Sequence, residues 1–198
     1  AEGAAGVSGC AGRLSERGGR RGALGAAQEA VALQRQLAKD NPAAFTPDLA
    51  GSLNNNANRL SDLGDPQGAL GPAQEAVALQ RQLAHDNPAA FTPDLASSLN
   101  NYANRLSDLG DPQGALGAAQ EAMRTLAPLF AALPDAYAQN MAVIAQNYIK
   151  RCEEAETQTD QALLARFTKS FKPCKTRMTP QLERIPQWIP LPILLQQP

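Results

Sequence analysis

The chain has 198 residues, a formal net charge of −1 and 5% aromatic side chains. So even a balance carries no global basic footprint of the kind that nucleic acid or an anionic membrane attracts. Its longest apolar run, Trp188 to Leu195, is broken by Pro190 and Pro192, well short of the roughly 18–20 residues a membrane span needs.

Residues 1–21 open with AEGAAG, too rich in glycine for a firm helix. Val7-Ser8-Gly9-Cys10 resembles the box before a lipoprotein cysteine, but Ala1 to Gly6 supply neither the basic start nor the apolar core of a signal. Val7 to Gly18 instead follows the pattern of Asn100 to Gly110, with Ala11, Leu14 and Gly18 in the places of Ala103, Leu106 and Gly110. It reads as the first helix of a truncated or degenerate repeat. A chain that starts at Ala1, without Met and partway through a repeat, reads as a fragment of a larger protein.

Residues 22–127 hold the strongest signal. Leu24 to Ala69 recurs as Leu70 to Ala115 with four differences, at Ala26/Pro72, Lys39/His85, Gly51/Ser97 and Asn56/Tyr102. The period is 70 − 24 = 46 residues. A fixed period in this range marks a stacked repeat, in which each unit buries its apolar face only against its neighbours. A helix is expected over Gly22 to Asp40, with Ala23, Ala27, Ala30, Val31 and Leu37 as its apolar stripe. It stops before Pro42, because the residue preceding proline disfavours the helical region. Thr46-Pro47-Asp48 is read as the next start, with Thr46 as cap and Pro47 in the first turn. The stretch NPAAFTP then becomes a linker. The following helix, to Leu63, buries Leu49, Leu53, Ala57 and Leu60. Gly64 is placed to end it in the left-handed region, and Asp65-Pro66 to launch the next. Turns this short fold each helix antiparallel onto its neighbour, which sets the fold class as all-α.

Past Leu126 the pattern fades. Residues 128–171 read as an atypical C-terminal capping repeat. Pro128 and Pro134 punctuate a linker, a helix covers Asp135 to Glu154, and a second covers Gln158 to Phe171 with Asp160 as cap. Ile144, Ala145 and Tyr148 are aligned with Tyr102, Ala103 and Leu106. Residues 172–198 are Pro-rich, basic and aperiodic, a tail expected to be extended or disordered.

Tyr102, Ala103, Leu106, Gly110, Ala115, Ala119 and Ala122 resemble the bulky, small and glycine positions of the tetratricopeptide repeat. The preceding copy supplies Asn56, Ala57, Leu60, Gly64, Ala69, Ala73 and Ala76. With 46 residues instead of 34 per unit, the chain resembles the longer-period, kinesin-light-chain-like type found in bacterial multi-domain proteins. That resemblance implies a right-handed superhelical solenoid of antiparallel helix pairs, with a protein or peptide partner in the concave groove. It implies that the first helix of each pair lines that groove. On this face Asn54, Asn58 and Asp62, then Asn100, Asn104 and Asp108, recur at spacings of four. Amides that both donate and accept suit the backbone of an extended peptide. Asn56 departs from the pattern, since a bulky core residue is expected there.

No catalytic, cofactor or metal site is read. Cys10, Cys152 and Cys174 form no C-x-x-C pair, and the lone His85 replaces a lysine of the other copy. Ser52, Ser61, Ser97 and Ser107 have no nearby histidine to serve as base. The glycines from Gly18 to Gly25 follow no strand and lead to no G-K-[ST]. Sparse cysteines suit a reducing, cytoplasmic setting. The leading expectation is a non-catalytic scaffold that binds protein, not nucleic acid or membrane, and that can self-associate through its repeat ends. One alternative is a fragment of a multidomain enzyme or nucleotide-dependent switch whose catalytic domain lies outside this chain. Another is an anchor through the basic stretch Lys169 to Arg184.

Overall fold

The computed structural model describes residues 2–160, 163 and 164, with side chains from Gly18 onward. The expected tail over residues 172–198, and the final helix beyond Leu164, lie outside the described residues. Among the described residues six helices follow one another: α1 (Glu2–Asp40), α2 (Pro42–Asp62), α3 (Pro66–Asp86), α4 (Pro88–Asp108), α5 (Pro112–Ala132) and α6 (Pro134–Glu154). Each packs against the next. α2 also approaches α4, and α4 approaches α6, more closely than α1 approaches α3 or α3 approaches α5. The even-numbered helices thus form the tighter layer of an all-α solenoid.

Helices α2 to α6 are each 21 residues long, or about 31 Å at 1.5 Å per residue. Two kinds of junction alternate. At Gly64 and Gly110 the backbone takes φ of +81° and +76°, a region glycine enters without the cost of a Cβ clash. Asp65 and Asp111 then cap α3 and α5, their Oδ1 atoms accepting from the N–H of Gly68 (2.8 Å) and Gly114 (2.9 Å). These are the turns the sequence announces.

The other junction is tighter than expected. Asn41 closes α1, and its Oδ1 accepts from Ala44 N (3.3 Å) to cap α2, with Pro42 in the first turn. Asn87 repeats this before α4. The anticipated start at Thr46-Pro47 is therefore corrected by five residues, and NPAAFTP is helix, not linker. Thr92, the copy of Thr46, shows why its hydroxyl does not cap: it donates backwards to Pro88 O (2.6 Å). Pro47 and Pro93 fall within their helices. There each forgoes one backbone bond but keeps a compatible φ.

Two further expectations change. A break was expected between residues 18 and 22, but α1 runs through it. The residues in register with Asp65-Pro66 are Gly19-Arg20, which supply neither cap nor ring, so nothing ends the helix. Likewise α5 passes through Pro128, and Leu133 alone separates it from α6. α6 starts 46 residues after α4 (134 − 88), so the period persists where sequence identity is gone. This register pairs Tyr148 with Tyr102 and Cys152 with Leu106. The sequence alignment was one helical turn out.

The core follows the stripes read from the copies. Leu53, Ala57, Leu99 and Ala103 are at most 1% exposed, and Leu60 and Leu106 are half-buried. Among the described residues, the largest cluster joins α4, α5 and α6 through Leu99, Met123, Leu126, Phe130, Met141 and Tyr148. Asp160 Oδ1 accepts from Leu163 N (3.1 Å), so the cap predicted there forms.

Candidate protein-docking groove

The groove is built on α2, α4 and α6, since these helices carry the Asn-rich stretch once per period. Their polar side chains first bind one another. Asn54 donates through Nδ2 to Ser98 Oγ (2.7 Å), and Asn147 donates to Asn100 Oδ1 (2.9 Å). Two turns further along, Ser61 Oγ donates to Asp108 (2.9 Å) and Ser107 Oγ to Glu154 (2.8 Å). Each acid is also held on its own helix: Arg59 meets Asp62 (3.1 Å), Arg105 meets Asp108 (3.4 Å) and Arg151 meets Glu154 (2.8 Å). Arginine in the last turn faces the negative helix end, where a cation is favoured.

The six residues singled out from sequence therefore divide. Asn54 and Asn100 form ties between neighbouring helices, and Asn100 is 7% exposed. Asp62 and Asp108 are exposed at helix ends and engaged by arginine. Asn58 and Asn104 lie half-buried on the same face.

Between α4 and α6 the layer opens into a depression of about 250 Å³. Ser97, Asn100 and Asn101 line it from α4, and Gln139, Asn140, Val143 and Ile144 from α6. Every lining side chain is uncharged. Val143 is 48% exposed, an apolar surface in a lining that also carries the amides of Asn100, Asn101, Gln139 and Asn140. Such a surface can take an apolar side chain, while the amides offer donors and acceptors to the chain bearing it. Sequence reasoning missed Asn101, Gln139, Asn140 and Val143. The signal was present: in the 46-residue register Val143 stands where Ser97 and Gly51 stand, but the one-turn slip hid it.

Chemistry is scarce around this face. His85 is exposed and lies beside Asp86 (3.2 Å), whose carboxyl is held below its usual range by hydrogen bonds from His85 and Gln82. Tyr148 and Cys152 are buried behind α6, and burial pushes both the phenol and the thiol up. The Tyr148 hydroxyl accepts from Asp160 N (2.8 Å). Among the described residues no three His, Cys, Asp or Glu side chains gather to hold a metal. Nor is any helix among them long and apolar enough to cross a membrane.

Residues 49–89 and 95–126 match the tetratricopeptide repeat family. These two stretches are tetratricopeptide repeats. The two matches begin 46 residues apart, at Leu49 and Leu95, the first buried leucine of α2 and of α4. Tetratricopeptide repeats generally mediate protein–protein interaction and are typically non-catalytic. A solved structure, the crystal structure of BtubC (BKLC) from P. vanneervenii, is similar at 18% identity, with 76% of this chain and 81% of that chain covered and a TM-score of 0.26. No curated protein matches the chain.

Proposed function

We propose that this repeat protein binds an extended peptide segment of a partner across α4 and α6. The segment places an apolar side chain over Val143 and Ile144, and its backbone meets Asn101, Gln139 and Asn140. One observation supports this reading: the half-exposed Val143 lines an uncharged, amide-lined depression. Asn54 and Asn100 act as struts that hold the helices of the groove at fixed spacing, and Asn58 and Asn104 extend the contact surface toward α2. α6 belongs to the capping repeat.

The test is a peptide-display selection on the purified chain, followed by affinities for variants. Val143→Glu puts an uncompensated charge where an apolar anchor sits and should weaken selected peptides at least tenfold, about 1.4 kcal/mol. Asn101→Ala should weaken them less. Selected peptides that bind Val143→Glu as tightly as the parent reject the groove.

A further inference from the structure

On the basis of the peptide groove proposed above, we infer that the segment it takes is basic toward α2, with a lysine or arginine two residues from its apolar anchor. The face is one-sided in charge. Over residues 42–56, 88–102 and 134–148, the N-terminal parts of α2, α4 and α6, the acids are Asp48, Asp94 and Asp135, and no Lys, Arg or His occurs. Asp135 lies in the first turn of α6, where the helix end favours an anion. Asp48 and Asp94 lie further inside their helices, beyond the reach of that effect. Both are exposed, and among the described residues neither carboxylate has a hydrogen bond or an ion pair. On α1 and α3, Arg35 is engaged with Glu75, Arg81 with Glu121 and His85 with Asp86, and Lys39 pairs with neither carboxylate.

Register ties these carboxylates to the depression. Asp48, Asp94 and Asn140 follow one another at the 46-residue period (94 − 48 and 140 − 94), and Asn140 lines the depression. One turn along each helix stand Gly51, Ser97 and Val143, in the same order. A Cβ at Gly51 would meet nothing within 4 Å, so room above the face persists from Val143 toward α2. A long aliphatic stem can lie over Ser97 and Gly51 and carry its charge to Asp94 or Asp48. The depression also holds an unused donor. Asn100 lines it at 7% exposed and its Oδ1 accepts from Asn147, while its Nδ2 has no partner among the described residues. That amide suits a backbone carbonyl of the segment. Packed helices lie about 8–10 Å apart, and side chains on one face of an extended segment about 7 Å apart. A two-residue step therefore takes the segment from Val143 to the neighbourhood of Asp94, and the next step leads toward Asp48.

Display selection of random peptides on the purified chain, run in parallel on Asp48→Asn/Asp94→Asn and on Asp94→Lys, tests this. Peptides retained by the parent should carry Lys or Arg two residues from an apolar residue. That enrichment should vanish on Asp48→Asn/Asp94→Asn and turn to Asp or Glu on Asp94→Lys. Both positions are exposed, so helical circular dichroism should be unchanged. A synthetic peptide from the parent selection should bind Asp94→Asn about two- to fivefold more weakly, the range of one exposed ion pair, and high salt should erase the difference. Val143→Glu tests the groove separately. Peptides that depend on Val143 yet show no basic enrichment, or keep it on Asp48→Asn/Asp94→Asn, overturn the charge assignment and leave the groove standing. Peptides indifferent to Val143, or a selection that retains none, overturn both.

Discussion

The repeats around α2 and α3 and those around α5 and α6 share one register but not one interior. Small and polar residues at the N-terminal end become large and apolar toward the C-terminal end. Gln34 and Gln80 correspond to Leu126, Asn56 to Tyr102 and Tyr148, Ala38 and Ala84 to Phe130, and Ser52 and Ser98 to Ile144. Leu126, Phe130 and Tyr148 are at most 1% exposed and belong to one continuous cluster. Around α2 the buried apolar residues separate into two small groups. Gln80 is 3% exposed and Asn56 8%, and the Oε1 and Oδ1 of these amides find no hydrogen-bond partner. An unmet buried acceptor costs about 1 to 3 kcal/mol. In a solenoid, stability is held locally between neighbours, so near-identical copies hold unequally wherever a difference falls inside.

The largest expected effect comes from moving the weak interior into the strong one. Leu126→Gln should cost about 3 kcal/mol or more, through lost apolar burial and a new unmet amide. Thermal melting and hydrogen exchange of α4 to α6 would show it. A loss under about 1 kcal/mol would mean the two interiors do not differ as described.

The reverse exchange should stabilise. Gln80→Leu removes the orphaned acceptor and is expected to add about 1 to 2 kcal/mol, read as slower hydrogen exchange in α2 and α3. Asn56→Tyr should act in the same direction. Gln74 donates to the Tyr102 hydroxyl (3.1 Å), and Gln28 stands ready in the same register for a tyrosine at position 56. Unchanged exchange in both variants would count against the comparison.

Alkaline pH sharpens it from the other side. Burial raises the phenol of Tyr148 and the thiol of Cys152, so the folded protein retains protons that the unfolded chain releases. Stability is then whole below about pH 8.5 and falls as pH passes the unfolded thiol and phenol values, about 8.5 and about 10. The loss should start in α6, and Tyr148→Phe with Cys152→Ala should flatten it. The smallest effect is expected on the outer layer. Arg81 grips both oxygens of Glu121 (2.7 and 2.8 Å), as Arg35 does Glu75. Both pairs are about half exposed. Arg81→Ala should therefore cost under about 1 kcal/mol, and less in high salt.

Much of this was legible in the residues. The period, the buried faces, the Asp-Pro caps and the left-handed glycines at 64 and 110 could all be read before any coordinates. Two things misled. Asn41-Pro42 and Thr46-Pro47 are both plausible starts five residues apart, and the caps made by Asn41 and Asn87 with the back-bonded hydroxyl at Thr92 tell them apart. At α6 the leucine pattern gives way to Met141, Ile144 and Tyr148, and the eye realigns apolar residues a turn early because helical neighbours three and four apart share a face. The candidate groove was only partly legible. Sequence placed Asn54 and Asn100 on α2 and α4, but no spacing rule reveals that Asn54 Nδ2 is taken by Ser98 and Asn100 Oδ1 by Asn147.

The Gly-Asp-Pro junction at 64–66 is repeated residue for residue at 110–112, and the segments on either side are interchangeable but for four positions. Unequal recombination between the two coding copies would splice an existing seam to itself. The product would carry one helix pair more or fewer, with no new joint for the chain to learn to fold. A gene with this layout can change the reach of its protein in whole steps, without passing through misfolded intermediates.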